Sequence, residues 1–167
     1  MKKNQVIVSE LMALCAILIV AIIMVSYSAK SNEREVTKVK VENLRNAVIN
    51  GNVNEIKKPV IDNGIKGFEV YFPLSDNSIT YIFDISNKGK MDAKISELNI
   101  SSPICKQNNK VIDCNGISYT LFYTDTGYKV SYDNTIKAGE TKTVVLFIKT
   151  SVNDVTVSNL NLKLLYK

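Results

Sequence analysis

Two cysteines in the body of the chain have the residue type and the spacing to form a covalent cross-link. Cys105 and Cys114 enclose the polar stretch KQNNKVID, which is typical of a hairpin loop. Such a loop brings the two thiols together, and a disulfide there stabilises a domain outside the cytoplasm by about 2–3 kcal/mol. We predict a Cys105–Cys114 disulfide, with two reduced thiols in a loop as the alternative.

The composition argues against catalysis and against a metal or cofactor site. The chain has no histidine, which is the commonest metal ligand and the commonest general base near neutral pH. No zinc-helix motif, phosphate-binding glycine loop or nucleophile elbow is present. Five of the aspartates could suggest calcium but lack the D-x-D-x-D-G spacing of a calcium loop: Asp84, Asp92, Asp113, Asp125 and Asp133. We therefore expect no enzyme, no metal and no cofactor.

The charge of the chain is mildly positive and scattered. It has 21 basic and 16 acidic residues, a formal charge of +5. Outside the N-terminus the only basic doublet is Lys57-Lys58, and no aromatic-studded basic motif of a nucleic-acid binder occurs. We expect no nucleic-acid partner; a solvated basic surface is the simplest interpretation, and weak attraction to an anionic polymer, such as one of the cell wall, is the alternative.

One apolar stretch near the N-terminus, Leu11–Val25, indicates a membrane segment. Lys2 and Lys3 precede it, and the segment after it has no basic excess, which predicts the N-terminus inside the cell and the remainder outside. Extended to Val6 and Tyr27, a helix is about 33 Å long, enough to cross the hydrocarbon core. The anchor residues are predicted to be Leu11, Leu14, Ile17, Leu18, Ile19, Ile22, Ile23 and Val25.

Glu10 stands at the edge of this stretch, and its role depends on how the leader is processed. In an uncleaved anchor its side chain reaches the headgroups from the cytoplasmic interface. Alternatively, Ser26 and Ser28 supply the small residues that signal peptidase requires. Cleavage there would release a domain that starts at Ala29.

A third interpretation rests on a resemblance. The stretch VIVSELMALCAILIV resembles the start of type IV pilins, which carry a glutamate at the fifth mature position. Processing after Gln5 would place Glu10 there, although that family has glycine before the cut. The resemblance implies self-assembly into a filament through Glu10, and a helix continuing into Val48.

The remainder of the chain divides into a linker and a body. We predict a cytoplasmic stub and membrane helix over residues 1–28, a stalk or linker with an optional first strand over 29–60, and an extracytoplasmic domain over 61–167. Residues 32–50 fit either a helix or a strand, because Val41, Leu44 and Val48 have helical spacing while Val39 and Val41 alternate with lysines.

From Gly67 onward the hydrophobic pattern has the period of a β-strand. FEVYFPL places Phe68, Val70 and Phe72 on one face, and SITYIFDIS does the same for Ile79, Tyr81 and Phe83. MDAKISELNI, ISYTLFYT, YKVSY, TKTVVLFIKT and VTVSNLNLKLLYK continue the pattern between polar or glycine-bearing turns. We predict an all-β, antiparallel β-sandwich of about seven strands, immunoglobulin-like or jelly-roll-like, preceded by one N-terminal transmembrane helix.

The body also carries a resemblance to exported surface proteins. ITYIFDISNKGKMDAKISEL, SYTLFYTD, IKAGETKTVVLFIK and VSNLNLKLLY resemble largely uncharacterised surface proteins of Gram-positive bacteria. The element from Ile79 to Ile95 is similar to that of the TasA and camelysin class of exported β-sandwich proteins, some of which build biofilm fibres. The resemblance implies a non-catalytic surface protein.

Taken together, these features predict a single-pass protein of the cell membrane that displays a non-catalytic domain outside the cell. The partner would be a protein or a cell-wall polymer, bound through exposed loops or through an unpaired sheet edge that accepts a partner strand. A pilin-like filament subunit and a TasA-like secreted matrix protein, released by signal cleavage, are the alternatives.

Overall fold

The computed structural model describes residues 38–167, in which every regular element is a β-strand. The strands are antiparallel wherever they pair, and they form three sheets. In chain order they are β1 (Val39–Glu42), β2 (Val48–Asn50), β3 (Asn54–Lys57), β4 (Val60–Ile61), β5 (Gly64–Lys66), β6 (Glu69–Phe72), β7 (Ser78–Asn87), β8 (Ala93–Ile100), β9 (Ile104–Gln107), β10 (Lys110–Ile112), β11 (Ile117–Tyr123), β12 (Thr135–Ile136), β13 (Thr141–Thr150), β14 (Val155–Ser158) and β15 (Leu162–Tyr166).

The first sheet has the order β1-β7-β13-β11, with β2 also paired to β7. Strands β1 and β2 lie one after the other along the same edge of β7, because Val39 pairs with Asn87 and Val48 pairs with Thr80. The long strands β7 and β13 form the centre of the sheet, and β11 forms its other edge.

The other two sheets are two halves of one layer. Their orders are β10-β9-β14-β6-β3 and β12-β8-β15-β5-β4. Four strands of one half are each consecutive along the chain with a strand of the other half. These pairs are β3 and β4, β5 and β6, β8 and β9, and β14 and β15. These strands therefore have the same neighbour order in both halves. We call the boundary between the two halves the crease.

The crease has a local cause in each strand that crosses it. Pro59 and Pro103 have no backbone N–H to donate to a ladder, and Gly67 and Asn159 have φ angles of 74° and 59°, which no strand residue adopts. Across the break, Asn161 accepts the Gly67 N–H at its Oδ1, 3.2 Å away. The lost ladder bonds are thus replaced locally by side-chain hydrogen bonds.

The hydrophobic core contains side chains from all three sheets, as the period-two pattern predicts. Phe68, Val70 and Phe72 are at most 1% exposed, and so are Ile79, Tyr81 and Phe83 of β7. The rings of Phe68 and Tyr81 approach to 5.4 Å between centroids. Burial of these faces is the main source of stability for the described region.

Two sequence-based expectations differ from the structure. The stretch YKVSY is not a strand; Lys129 forms only an isolated bridge with Phe122, and the next strand is β12. Residues 39–42, 48–50 and 54–57 are strands of the sheets, so the helix into Val48 that the pilin interpretation predicts is wrong. Pairing with β7 and β6 decides this stretch, whose own pattern is ambiguous.

The predicted membrane anchor and Glu10 lie outside the described residues. Within residues 38–167, the structure contains no helix of sufficient length and apolar character to cross a bilayer.

Candidate functional site

The disulfide joins a strand of a hairpin to the connection that follows this hairpin and leads to β11. Strands β9 and β10 form the hairpin, with Cys105 opposite Ile112. Cys105 and Cys114 are bonded, with their Cα atoms 5.4 Å apart, which is compatible with the bridge expected from the sequence. Since β11 begins at Ile117, the bridge holds this hairpin close to the first residues of β11.

A groove of about 530 Å³ lies between this hairpin and β11. One wall carries Ile104, Val111 and Ile112, and the other carries Ile117 and Tyr119. Val111 is 71% exposed, and Ile104 and Tyr119 are each 37% exposed, so the groove presents apolar side chains to solvent. We call it the edge groove.

The backbone of β11 is open along this groove. On its outer side, Leu121 accepts a hydrogen bond from Val130 N at 2.9 Å, and Ile117 donates one to Cys114 O at 2.9 Å. Because backbone groups alternate along a strand, the N–H and C=O of Tyr119 point to this same side. Among the described strands, none pairs with that side between Ser118 and Thr120.

The edge groove is lined mainly by apolar and uncharged polar side chains. Its only lining side chain of the Asp, Glu, Lys or Arg type is Asp113, and its sulfurs are held in the disulfide. Within residues 38–167, no three Cys, Asp or Glu side chains are grouped as metal ligands. The groove therefore offers apolar contact and backbone hydrogen bonds, and no nucleophile paired with a base.

The most buried acid of the first sheet, Asp84, lies away from the groove and has a structural environment. Its carboxylate accepts hydrogen bonds from Thr143 Oγ1 at 2.8 Å, Asn43 Nδ2 at 3.0 Å and Arg45 at 3.0 Å. Burial raises the pKa of Asp84, but these hydrogen bonds and the Arg45 charge outweigh it and hold the pKa below its ordinary value. The carboxylate thereby ties the connection between β1 and β2 to the face of the sheet.

Three tyrosine hydroxyls are buried without a hydrogen-bond partner in the described region, those of Tyr81, Tyr123 and Tyr166. Burial, followed by the charges of Asp125 and Glu140, raises the pKa of Tyr123 to about 12. Burial likewise raises the pKa of Tyr81 and of Tyr166. The pockets that the structure describes do not include these hydroxyls in their linings, so we assign them no binding role.

The aspartates singled out in the sequence do not form a group that could hold a metal ion within residues 38–167. Asp84 is on the first sheet, Asp113 lines the edge groove, and Asp92 accepts a hydrogen bond from Ala138 N. The apolar groove residues Val111 and Tyr119 were not singled out from the sequence, since alternation assigns Tyr119 to the core. Tyr119 is exposed because β11 is the edge strand of its sheet, and only the structure shows this position.

No protein-family model, curated protein or solved structure matches this chain.

Proposed function

We propose that this chain is a membrane-anchored surface protein, held N-terminus inside by residues 11–25, which displays residues 38–167 outside the cell as a non-catalytic interaction domain. The domain is a β-sandwich of immunoglobulin-like or jelly-roll-like type, similar to the exported surface proteins that the sequence resembles. Its partner is a protein that supplies an extended segment to the edge groove.

The observation that carries the proposal is the coincidence of an open strand edge with an apolar groove. The N–H and C=O of Tyr119 supply a backbone donor and acceptor, which give affinity without sequence preference. The side chains of Val111 and Ile104 stand beside that edge and are exposed. Strand addition uses both features, since pockets beside the edge select every second side chain of the added strand.

The disulfide supports the same interpretation. An open edge tends to aggregate unless the surrounding structure limits what can pair with it. The Cys105–Cys114 bridge holds the β9–β10 hairpin against the start of β11, so the groove keeps its width. A groove that is formed before binding loses less conformational freedom when the partner strand enters.

The anchor is tested on the full chain recovered from its own membrane. We expect the intact mass to include the leader, and the protein to stay with the membrane after alkaline extraction. A mature chain that starts at Val6 would favour the pilin-like alternative, and one that starts at Ala29 would favour a secreted matrix protein. Either start would overturn the anchor.

The groove is tested by selecting displayed random peptides against the full chain in detergent. We expect the selected peptides to carry apolar residues at alternate positions. Tyr119→Pro removes the outward N–H together with the ring, so it should abolish binding, while the ladder with β13 is kept because the N–H that is lost points away from it. Tyr119→Ala, the matched control, keeps that N–H and should weaken binding less. Equal binding by wild type and Tyr119→Pro would overturn strand addition.

A further inference from the structure

At one end of the domain lie Lys38, the first described residue, and three connections between strands. The carbonyl of Lys38 accepts a hydrogen bond from Lys88 N at 3.2 Å, and Lys94 and Lys167 exchange backbone hydrogen bonds of 3.0 Å. Strand β7 ends here, and β1 and β13 begin here. We define the basal face as residues 88–92, 124–134 and 137–140 together with Lys38 and Lys167.

The basal face and the opposite end differ in the sign of their charge. The basal face has six lysines and four acids. Including its ion-paired neighbours adds one lysine, Lys142, and one acid, Glu42, so the excess of lysines over acids stays the same. The turns at the opposite end comprise residues 51–53, 73–77, 108–109, 113–116 and 151–154. These turns contain three aspartates and no lysine or arginine, and including Lys149, the ion-paired neighbour of Asp76, still leaves an excess of negative charge. The domain therefore has a positive end, where the chain enters, and a negative end.

Exposed apolar and aromatic side chains accompany the lysines on the basal face. Met91 is 55% exposed, Tyr128 75% and Tyr132 58%. Tyrosine combines an apolar ring with a polar tip, and lysine combines an apolar stem with a charged head, which suits both to the headgroup region of a bilayer. Separate exposed side chains of this kind are ordinary, but their coincidence with one positive end is informative.

The basal turns are held in place, so these side chains project from a rigid base. Asn87 donates hydrogen bonds to Met91 O at 2.8 Å and to Ile136 O at 3.0 Å, and its Oδ1 accepts the Gly89 N–H at 3.0 Å. Tyr128 O accepts the N–H of Tyr123 at 3.0 Å. Exposure of Met91 and Tyr128 therefore does not depend on a loose loop.

The chain also limits how far this end can lie from a membrane. Residues 29–37 separate Ser28 from Lys38. Fully extended, nine residues span at most about 32 Å, and any less extended conformation spans less. If the membrane helix ends near Ser28, this tether keeps Lys38, and with it the basal face, within about that distance of the lipid surface.

We infer that the basal face docks on the anionic lipid surface of the membrane in which the same chain is anchored. Met91, Tyr128 and Tyr132 enter the headgroup region, and the basal lysines contact lipid phosphates. This inference rests on the anchor of the proposed function. Docking fixes the orientation of the domain, with the edge groove and the acidic turns directed away from the bilayer.

The test exploits the absence of tryptophan from the chain. Full-length Tyr128→Trp is reconstituted in vesicles of phosphatidylcholine alone or with phosphatidylglycerol. The control is Leu74→Trp, since Leu74 is 56% exposed in a turn at the opposite end. We expect lipids brominated near the headgroup to quench Tyr128→Trp in the anionic vesicles, with a blue-shifted emission, and to leave Leu74→Trp unquenched.

A charge variant separates lipid docking from simple proximity. Lys129→Glu with Lys137→Glu in the Tyr128→Trp chain should lose most of the quenching, because each lysine charge removed lowers occupancy of the docked state about fivefold. Circular dichroism and the disulfide content check that the variant is folded. Quenching that is equal with and without phosphatidylglycerol, and unchanged by these substitutions, would overturn the anionic assignment.

Three other outcomes are distinguishable. A chain that floats with the vesicles while both tryptophans stay in water would overturn docking and leave the anchor standing. A chain that fails to float would overturn both. If soluble polyphosphate shifts the Tyr128→Trp emission without vesicles as strongly as lipid does, the basal face binds an anionic polymer and the lipid assignment is wrong.

Discussion

The edge groove at one end of the domain and the basal face at the other expose apolar side chains in different surroundings. At the edge groove, Val111 and Tyr119 flank an unpaired strand edge, so the apolar surface is combined with directed backbone hydrogen bonds. On the basal face, Met91 and Tyr128 project from closed turns and are accompanied by lysines. Directed bonds suit one extended partner, whereas charge with a few apolar contacts suits a fluid surface.

The two ends also differ in how they are kept in shape. A covalent bond between Cys105 and Cys114 holds the hairpin of the edge groove. On the basal face the corresponding role belongs to Asn87, a side chain that is 2% exposed and has three backbone partners. Substitutions at these positions should therefore affect the two ends independently. The edge groove should be sensitive to reduction of the disulfide, and the basal face should not.

The largest effect is expected for Asn87→Ala. It removes both amide donors and the acceptor for Gly89 N, and leaves the buried Ile136 carbonyl and the partly buried Met91 carbonyl without those bonds. We expect the free energy of unfolding to fall by about 2–4 kcal/mol in urea titrations. The control is Asn134→Ala, which removes one bond to Ser131 N and should cost about 1 kcal/mol or less. Equal losses would contradict the role assigned to Asn87.

Loss of the disulfide is expected to be the next largest effect. Cys105→Ser with Cys114→Ser should lower the free energy of unfolding by about 2–3 kcal/mol, because the bridge closes a short loop in the unfolded chain. Hydrogen exchange should accelerate in β9 and β10 and change little in the basal turns. Reduction of the wild type should give the same result. An unfolding midpoint of the wild type that does not change when reductant is added would contradict this prediction.

Asp84→Asn should have a smaller effect that depends on pH. Because the pKa of folded Asp84 lies below its unfolded value, its stabilisation is present above the unfolded pKa of about 4 and is lost as the pH falls through the folded pKa. We expect a cost of about 1–2 kcal/mol at pH 7, since the partner Arg45 is itself half exposed. Unfolding titrations should show the difference shrinking at acid pH. A cost that is the same at pH 3 and pH 7 would exclude ionic pairing as its cause.

Tyr123→Phe should have the smallest effect at neutral pH. Its hydroxyl is buried without a partner, so its removal should leave stability unchanged or raise it by up to about 1 kcal/mol. The pKa of Tyr123 is raised to about 12 in the folded protein. The wild type therefore keeps its full free energy of unfolding below the unfolded pKa of about 10 and loses part of it as the pH rises towards 12. Unfolding curves should therefore show the wild type losing stability faster than the variant above pH 10. Parallel curves would contradict this.

The inward faces of the central strands could be predicted because alternation is a local property. Phe68 to Phe72 and Ile79 to Phe83 point inward as their spacing predicts, and the glycine-bearing turn after Asn87 falls where the pattern breaks. From Gly67 onward the pattern predicts about seven strands, whereas the structure has ten segments there, β6 to β15. The crease divides strands at Pro59, Gly67, Pro103 and Asn159, which are distant in sequence and align only once the sheet has formed.

The sequence by itself determined the all-β class, the inward faces and the pair of cysteines, because strand periodicity and the spacing of two thiols are readable over short stretches. Only the tertiary structure decided that Tyr119 lies on an open edge beside Val111, and that Lys38, Lys88 and Lys137 share one end of the domain. Pairing between distant strands creates both surfaces, and no local pattern in the chain encodes which edge is left unpaired or which turns become neighbours.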